Sequence, residues 1–143
     1  MSIPYKHLLL TTDCNETSHK CIEKGLDLAK LYGAKLTILH VVEPLPAYAM
    51  SYMGSVNLEE EMIAQAKISL EKLVADHHLD DALLHIELGS VKACILTHAK
   101  EHKVDLIIIG SHGRHGLERL IGSTASSVLQ GAECDVLVVH TYD

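Results

Sequence analysis

The chain has 143 residues, of which 48% are hydrophobic, and a formal net charge of −7 at pH 7. This length fits a single domain, residues 1–143, that is large enough to bury one sizeable core. The acidic balance argues against nucleic acid as a partner, because binding to a phosphate backbone needs clustered Lys and Arg, whereas a small anion in a local pocket stays compatible with it.

The apolar segments are too short to cross a membrane. No apolar run approaches the ~20 residues that a membrane-spanning helix needs, and Met1 to Lys6 lacks the apolar core of a signal peptide. We therefore expect a cytoplasmic protein without a membrane partner.

The first part of the chain predicts a strand, a helix and a second strand. Residues 5–12 form an apolar run that ends at Asp13, which is typical of a buried strand. Residues 17–32 carry apolar side chains at helical spacing, and Gly33 provides the stop. Residues 35–42 predict the second buried strand.

A long connection and a long helix follow. Residues 43–56 contain two prolines, two tyrosines and two methionines, and such a connection is long for an α/β domain. Two interpretations stay open: packing against the sheet edge or a dimer mate, which we favour, and closure over a ligand. Asn57 is the expected N-cap of the next helix, with Glu60 at the capping-box position.

The second half of the chain repeats the alternation. It predicts a strand over 83–88, a helix from Val91 to just before Val104, a strand over 104–109, a helix over 123–130 and a strand over 135–140. Strands that are apolar on both faces, separated by amphipathic helices, indicate an α/β domain with a parallel sheet covered on both sides. Ligands of such sheets bind outside the carboxyl ends of the strands, where the strand order reverses.

A glycine-rich turn follows the predicted fourth strand. Its glycines, at 110, 113 and 116, let the backbone approach a ligand closely, and Arg114 offers a guanidinium to phosphate oxygens. The following Gly122-Ser-Thr opens a helix whose first amides and dipole favour an anion. The pattern indicates a phosphate site, although it is neither a P-loop nor a dinucleotide fingerprint. The alternatives are that the glycines only connect a strand to a helix and that Ser123 is only a helix N-cap.

The cysteine and histidine patterns predict neither redox chemistry nor a metal site. The four cysteines show no metal or redox spacing, so we expect reduced, mostly buried thiols. Eleven histidines are many for this length. Because neither His112 with His115 nor His77 with His78 has a Cys, Asp or Glu partner at ligand spacing, we predict no metal site.

Nearly the whole chain resembles the universal stress protein A family. The resemblance rests on Tyr5-Lys-His-Leu-Leu-Leu-Thr-Thr-Asp, on Leu39-His-Val-Val, and on Gly110-Ser-His-Gly-Arg through Gly122-Ser-Thr to Cys134-Asp-Val-Leu-Val-Val. It implies a three-layer, doubly wound fold, flavodoxin-like or adenine nucleotide alpha hydrolase-like, with helices around a five-stranded parallel sheet in the order 3-2-1-4-5. Strands one and four would then lie side by side, as the ligand groove requires.

The same resemblance implies an adenine-nucleotide site. Nucleotide-binding members carry Gly-x2-Gly-x9-Gly-Ser/Thr, whereas eight residues separate Gly113 from Gly122 here. This spacing is similar to the stress protein A branch, in which members close to the founding protein lack the glycines and are thought not to bind ATP. This chain keeps the glycines, so the resemblance favours ATP or a related adenine nucleotide, with Mg²⁺ as a candidate companion ion.

Carried onto this sequence, the family's nucleotide site falls on both halves of the chain. Asp13 would face the adenine or the ribose, the backbone of Val41 would read the adenine edge, and Thr12 would line the same wall. Around the phosphates the resemblance puts Gly110, Ser111, His112, Gly113, Arg114, Gly122, Ser123 and Thr124. For Asp13 the alternative is a turn-forming acid at a strand end.

The last strand predicts self-association. Its apolar run consists of Val136, Leu137, Val138 and Val139. An apolar edge strand near a terminus invites pairing with a second copy, and family members dimerise there. The alternative is that the run only packs inward.

Two functions follow from these patterns. The first, which we favour, is a homodimeric stress regulator that binds an adenine nucleotide. The second is a nucleotide-independent dimeric stress protein that acts through protein contacts with a client. We do not expect an enzyme beyond slow ATP hydrolysis, because no full set of groups for phosphoryl transfer accompanies Arg114 and Asp13, and no G-x-S-x-G elbow occurs.

Overall fold

The computed structural model of the protein describes residues 5–12, 18–46, 58–77, 82–111 and 122–141. Within these ranges strands and helices alternate as the hydrophobic pattern predicts. The elements are β1 (His7–Thr11), α1 (Ser18–Tyr32), β2 (Lys35–Val42), α2 (Leu58–His77), β3 (Leu83–Leu88), α3 (Val91–Glu101), β4 (Leu106–Gly110), α4 (Ser123–Gly131) and β5 (Asp135–Val139). Among the described helices, none has the length and apolar character needed to cross a membrane.

The strands form one parallel sheet in the order β3-β2-β1-β4-β5. This confirms the order that the resemblance implied, and it puts β1 beside β4, with Leu10 paired to Ile108. The winding reverses between these two strands, so their carboxyl ends flank the crevice where ligands of such sheets bind. β3 and β5 are the two edges.

Alternate residues of the strands fill two apolar layers. Leu8 and Leu10 are buried in one cluster with Ile22 of α1 and Leu70 of α2. Leu9 belongs to the opposite cluster with residues of α3 and α4. Burial of both faces explains why the strands read as continuous apolar runs. Each such side chain stabilises the fold by about 1.5–3 kcal/mol.

The start of β4 differs from the prediction. The strand begins at Leu106 rather than Val104, because the amide of Val104 donates to the carbonyl of Ala99 at 2.9 Å and thereby closes α3. The amide of Lys103 donates to the carbonyl of Lys100 at 3.4 Å, which completes a Schellman motif. Strand ends shift by a residue or two elsewhere: β1 begins at His7, β4 ends at Gly110, and β5 ends at Val139.

The long connection after β2 is only partly described. Residues 43–46 follow the strand, and α2 starts at Leu58. Asn57 and most of the 43–56 connection lie outside the described residues, so the N-cap and the packing of this connection stay predictions.

Candidate functional site

The carboxyl ends of β1 and β4 form the floor of the candidate site. Thr12 follows β1 and Ser111 follows β4, and both residues are buried. Because the two strands are paired neighbours in a parallel sheet, their carboxyl ends lie at the same edge. The structure therefore brings two predicted site residues to one crevice, although 99 positions separate them in the chain (111 − 12).

Thr12 is held in place by β2. Its amide donates to the carbonyl of Leu39 at 3.1 Å. Its own carbonyl lies 2.7 Å from Nδ1 of His40, and since a carbonyl only accepts, Nδ1 carries the proton. Val41, the predicted reader of the adenine edge, is half-buried in the same strand. His40 was missed by the sequence reasoning, and its only signal was its position between Leu39 and Val41.

Ser111 forms backbone hydrogen bonds to β5 and to the start of α4. Its amide donates to the carbonyl of Val139 at 2.8 Å, and its carbonyl accepts from the amide of Gly122 at 2.6 Å. β5 and the start of α4 are thus both hydrogen-bonded to the same residue, Ser111.

A second hydroxyl residue supports this junction. The Oγ of Ser111 accepts from the amide of Thr141 at 3.2 Å and lies 3.4 Å from its Oγ1. Thr141 is buried, and the sequence reasoning missed it, because a lone threonine beyond the last strand carries no pattern. Since a buried amide without a partner is costly, Ser111 and Thr141 need each other.

The start of α4 corrects one prediction. The N-cap is Gly122, with φ −59° and ψ 156°, rather than Ser123, and its carbonyl accepts from the amide of Ser126 at 3.0 Å. Gly122 has no side chain that could accept a capping hydrogen bond. Among the described residues, the first-turn amides are therefore left without an N-cap side-chain partner, and the positive end of the helix dipole lies beside Ser111. Such a helix end suits an anion.

The remaining predicted site residues divide into two groups. Gly110 is half-buried, while Ser123 and Thr124 are exposed at the first turn of α4. Asp13, His112, Gly113 and Arg114 lie outside the described residues. Their contacts with a nucleotide stay predictions.

The described thiols are unsuited to redox chemistry. Cys21 is buried, and Cys94 and Cys134 are half-buried and free. Burial raises the pKa of Cys94, and the neighbouring Glu87 carboxylate adds to this; burial likewise raises the pKa of Cys134. A raised pKa keeps a thiol protonated and poorly nucleophilic at neutral pH. Cys14 lies outside the described residues.

Several of the described histidines contact one another. Within the described ranges, no three His, Cys, Asp or Glu residues are placed to hold a metal ion. Nε2 of His77 lies 2.7 Å from Nδ1 of His19, a hydrogen bond between α2 and α1. His78, His112 and His115 lie outside the described residues.

Comparison with known proteins connects this geometry to one family. The model of the universal stress protein family matches residues 4–140. Universal stress protein A homolog 2 of Coxiella burnetii is 36% identical over 139 residues, which cover 95% of this chain and 95% of that protein.

Two solved structures share the fold. The crystal structure of a universal stress protein in complex with cAMP has a TM-score of 0.67 at 24% identity, covering 97% of this chain and 99% of that one. The structure of the universal stress protein from Archaeoglobus fulgidus in complex with dAMP has a TM-score of 0.70 at 19% identity, covering 94% of this chain and 98% of that one. From the family match over most of its length and the identity to a relative of similar size, this chain belongs to the universal stress protein family.

Proposed function

We propose that this protein is a homodimeric stress regulator that binds an adenine nucleotide at the carboxyl ends of β1 and β4. The observation that carries the proposal is the start of α4, where the N-cap Gly122 has no side chain and its amide donates to the carbonyl of Ser111 beside the β1–β4 crevice. A helix end of this kind lowers the free energy of a bound phosphate through its amides and its dipole.

The phosphate half of the site would consist of backbone groups. Gly122, Ser123 and Thr124 would present the first-turn amides of α4, and Gly110 would leave room for the phosphates. Gly113 and Arg114 would close the site from the glycine-rich segment. Backbone amides fixed by the Ser111 junction are preorganised, so little ordering cost accompanies binding.

The adenine half would lie against β1 and β2. The backbone of Val41 would read the adenine edge, and the buried Thr12 would form the wall next to it. Asp13 would accept hydrogen bonds from the ribose or the adenine amino group, which is chemistry that a carboxylate supplies. His40 would act indirectly, by holding the carbonyl of Thr12.

The nucleotide complexes of related folds support an adenine ligand. One universal stress protein is solved with cAMP and another with dAMP. These two ligands share an adenine ring and a single phosphate, so the common requirement is adenine plus phosphate rather than a triphosphate. ATP, with or without Mg²⁺, is the further ligand that we propose for this chain.

The proposed dimer uses the free edge of β5. Among the described strands, β5 pairs with β4 alone, and an unpaired apolar edge is a template for a second copy. Ser111 connects the same strand to the glycine-rich segment through Val139. Nucleotide binding could therefore be read out at the dimer edge. We propose a cytoplasmic regulator rather than an enzyme, with slow ATP hydrolysis at most.

A charge-matched pair of variants tests the proposal. The backbone of Gly122 has a φ of −59°, which any L-residue adopts, and both Asp and Asn are good N-caps. Gly122→Asp and Gly122→Asn therefore differ mainly in the negative charge placed where the phosphates would bind. A ligand at ~100 times its Kd adds about 2.7 kcal/mol to native stability. We expect AMP, cAMP, ADP or ATP to raise the Tm of the wild type and, less strongly, of Gly122→Asn.

The Asp variant should lose the nucleotide-dependent rise in Tm while keeping its own Tm. An equal rise in both variants would rule out phosphate at the start of α4. If no nucleotide shifts the wild type, with or without Mg²⁺, while sedimentation shows a dimer, the nucleotide-independent function through protein contacts replaces this proposal.

A further inference from the structure

Four histidines meet between α3 and the sheet, and we refer to them as the histidine cluster: His7, His85, His98 and His102. The rings of His98 and His102 stack with centroids 4.2 Å apart, and the ring of His85 lies 5.1 Å from that of His98. Nδ1 of His7 lies 3.1 Å from the carbonyl of His102, and Nε2 lies 2.7 Å from Oγ1 of Thr37. Three elements, β1, β3 and α3, are thus joined through imidazoles.

The spacing of α3 and β3 creates this contact. Residues 94, 98 and 102 are one helical turn apart and share a face of α3, while residues 85 and 87 share a face of β3. The described titratable groups around the cluster come from β2, β3, α3 and the start of β4; they are Lys35, Glu87, Cys94 and Asp105. Most of the surrounding interface is apolar, with Ile95 and Ala99 buried beside the cluster.

The cluster has little negative charge to balance added protons. Oε1 of Glu87 lies 3.2 Å from Nδ1 of His98, whose ring is 3% exposed. Oδ2 of Asp105 instead accepts from the amides of Lys6 and His7, at 2.7 and 2.9 Å. Glu87 is therefore the carboxylate that contacts the rings of the cluster, and positive charges on rings whose centroids are 4.2–6.2 Å apart would repel one another.

The folded protein takes up protons less readily than the unfolded chain does. Burial lowers the pKa of His7 below its ordinary value of 6.5. Burial also lowers the pKa of His85, and the positive charges of His98 and His102 lower it further. These two histidines contribute stability that is fully present above about pH 6.5 and is lost as the pH falls toward the lowered pKa values.

We propose that the histidine cluster is a proton-sensitive latch, which holds β3 against α3 near neutral pH and releases it on acidification. β3 is the element that would move, because within the described sheet it is an edge strand that pairs with β2 alone and exposes Leu83, Leu84 and Leu88. α3 would stay, since the fully buried Ile95 anchors it to the sheet. Release uncovers the edge of β2, and an uncovered edge is a surface for pairing with another strand.

The latch and the proposed nucleotide site use different residues, although β3 pairs with β2 beside Val41. No histidine of the cluster is among the residues proposed to contact nucleotide, and the expected trigger is the proton alone. The chain would then respond to two signals at two places: nucleotide near β5 and acid at β3. Failure of either proposal leaves the other standing.

Hydrogen exchange of the nucleotide-free protein tests the latch. We compare amide exchange at about pH 7.5 and about pH 5.5, corrected for the intrinsic rate. Each proton that the released state binds and the closed state does not shifts the opening equilibrium up to about tenfold per pH unit. We expect exchange in residues 83–88 to rise by at least about tenfold, while exchange in α1 stays unchanged.

Two variants should shift the pH of release in opposite directions, and a third serves as the control. His102→Gln removes one ring and should move release to lower pH. Glu87→Gln removes the balancing carboxylate and should move release to higher pH. His140→Gln, at an exposed position after β5, is the matched control and should keep the wild-type response.

Several outcomes would overturn the latch. Equal protection of β3 at both pH values contradicts it, as does a uniform loss of protection across the whole sheet. The wild type alone decides this point should a variant fail to fold. Exchange is also measured with Zn²⁺ and with EDTA. If Zn²⁺ protects β3 in the wild type and not in His85→Gln, the cluster is a metal site and the proton latch is wrong.

Discussion

The two edges of the sheet are fastened to the molecule by different chemistry. At β5, Val139 and the following Thr141 are tied to Ser111 through backbone and hydroxyl groups. At β3, His85 meets imidazoles of α3, and Glu87 meets His98. Amides and hydroxyls do not change charge between pH 5 and 8, whereas imidazoles do. One edge should therefore be insensitive to acid and the other sensitive.

The edges also differ in burial. Val139 at the end of β5 is buried in the core, but Leu83, Leu84 and Leu88 of β3 are exposed. β3 is attached through its pairing with β2 over residues 83–88 and through the packing of Ile86 against the core, and its histidine contacts with α3 add to this attachment.

The largest effect on stability is expected from a cavity in β4, which lies between the two edges of the sheet. Ile108 in β4 is 0% exposed, so Ile108→Ala should cost about 2–5 kcal/mol in free energy of unfolding, through lost burial and the cavity left behind. Both edges should weaken together, because β4 and β1 lie between them. Urea denaturation measures the change.

The matched control for the cavity is another isoleucine. Ile68 in α2 is 60% exposed, and Ile68→Ala should change stability by less than about 0.5 kcal/mol. Equal costs for the two substitutions would mean that the centre of the sheet is not the common support of the two edges.

A smaller effect is expected at the β5 side. Ser111→Ala removes the acceptor of the buried Thr141 amide, which should cost about 1–3 kcal/mol. The cost should be the same at about pH 7.5 and about pH 5.5, because no titrating group is involved. Thr97→Ala, at an exposed position of α3, serves as the hydroxyl control. A cost that varies with pH would remove the proposed difference between the edges.

The smallest effect is a gain in stability. α1 and α3 end in the same motif, with Gly33 at φ 60° and Lys103 at φ 54°, a region that side chains disfavour. Lys103→Gly should stabilise the protein by about 1 kcal/mol. Lys103 follows His102 directly, so the variant also distinguishes the effect of backbone strain from the effect of histidine protonation. Stability should rise at every pH, and its pH dependence should stay unchanged. No gain in the denaturation midpoint would contradict this account of the α3 end.

Local patterns predicted most of the fold and part of the site. Continuous apolar runs and period-3.6 apolar spacing predicted the elements, because burial on both sheet faces leaves a strong signal in strands such as β4. The strand order came from the resemblance, since periodicity holds no information on which strands pair. The carboxyl-edge location of Thr12 and Ser111 followed from that order.

The missed residues depend on contacts between distant parts of the chain. His40, Thr141 and the histidine cluster acquire roles only when residues such as His7 and His102 meet in the folded chain. The Cys94, His98 and His102 spacing was visible as a helical stripe, but the facing strand could not be identified from one sequence. The cap at Gly122 escaped prediction because it depends on backbone angles rather than on side-chain chemistry.

The most direct test of the nucleotide site is a map of amide chemical shifts during titration with AMP and then ATP. We predict the largest changes at Gly122, Ser123, Thr124 and Thr12. Shifts confined to other parts of the molecule, or no shifts at millimolar nucleotide, would contradict an adenine-nucleotide site at the start of α4.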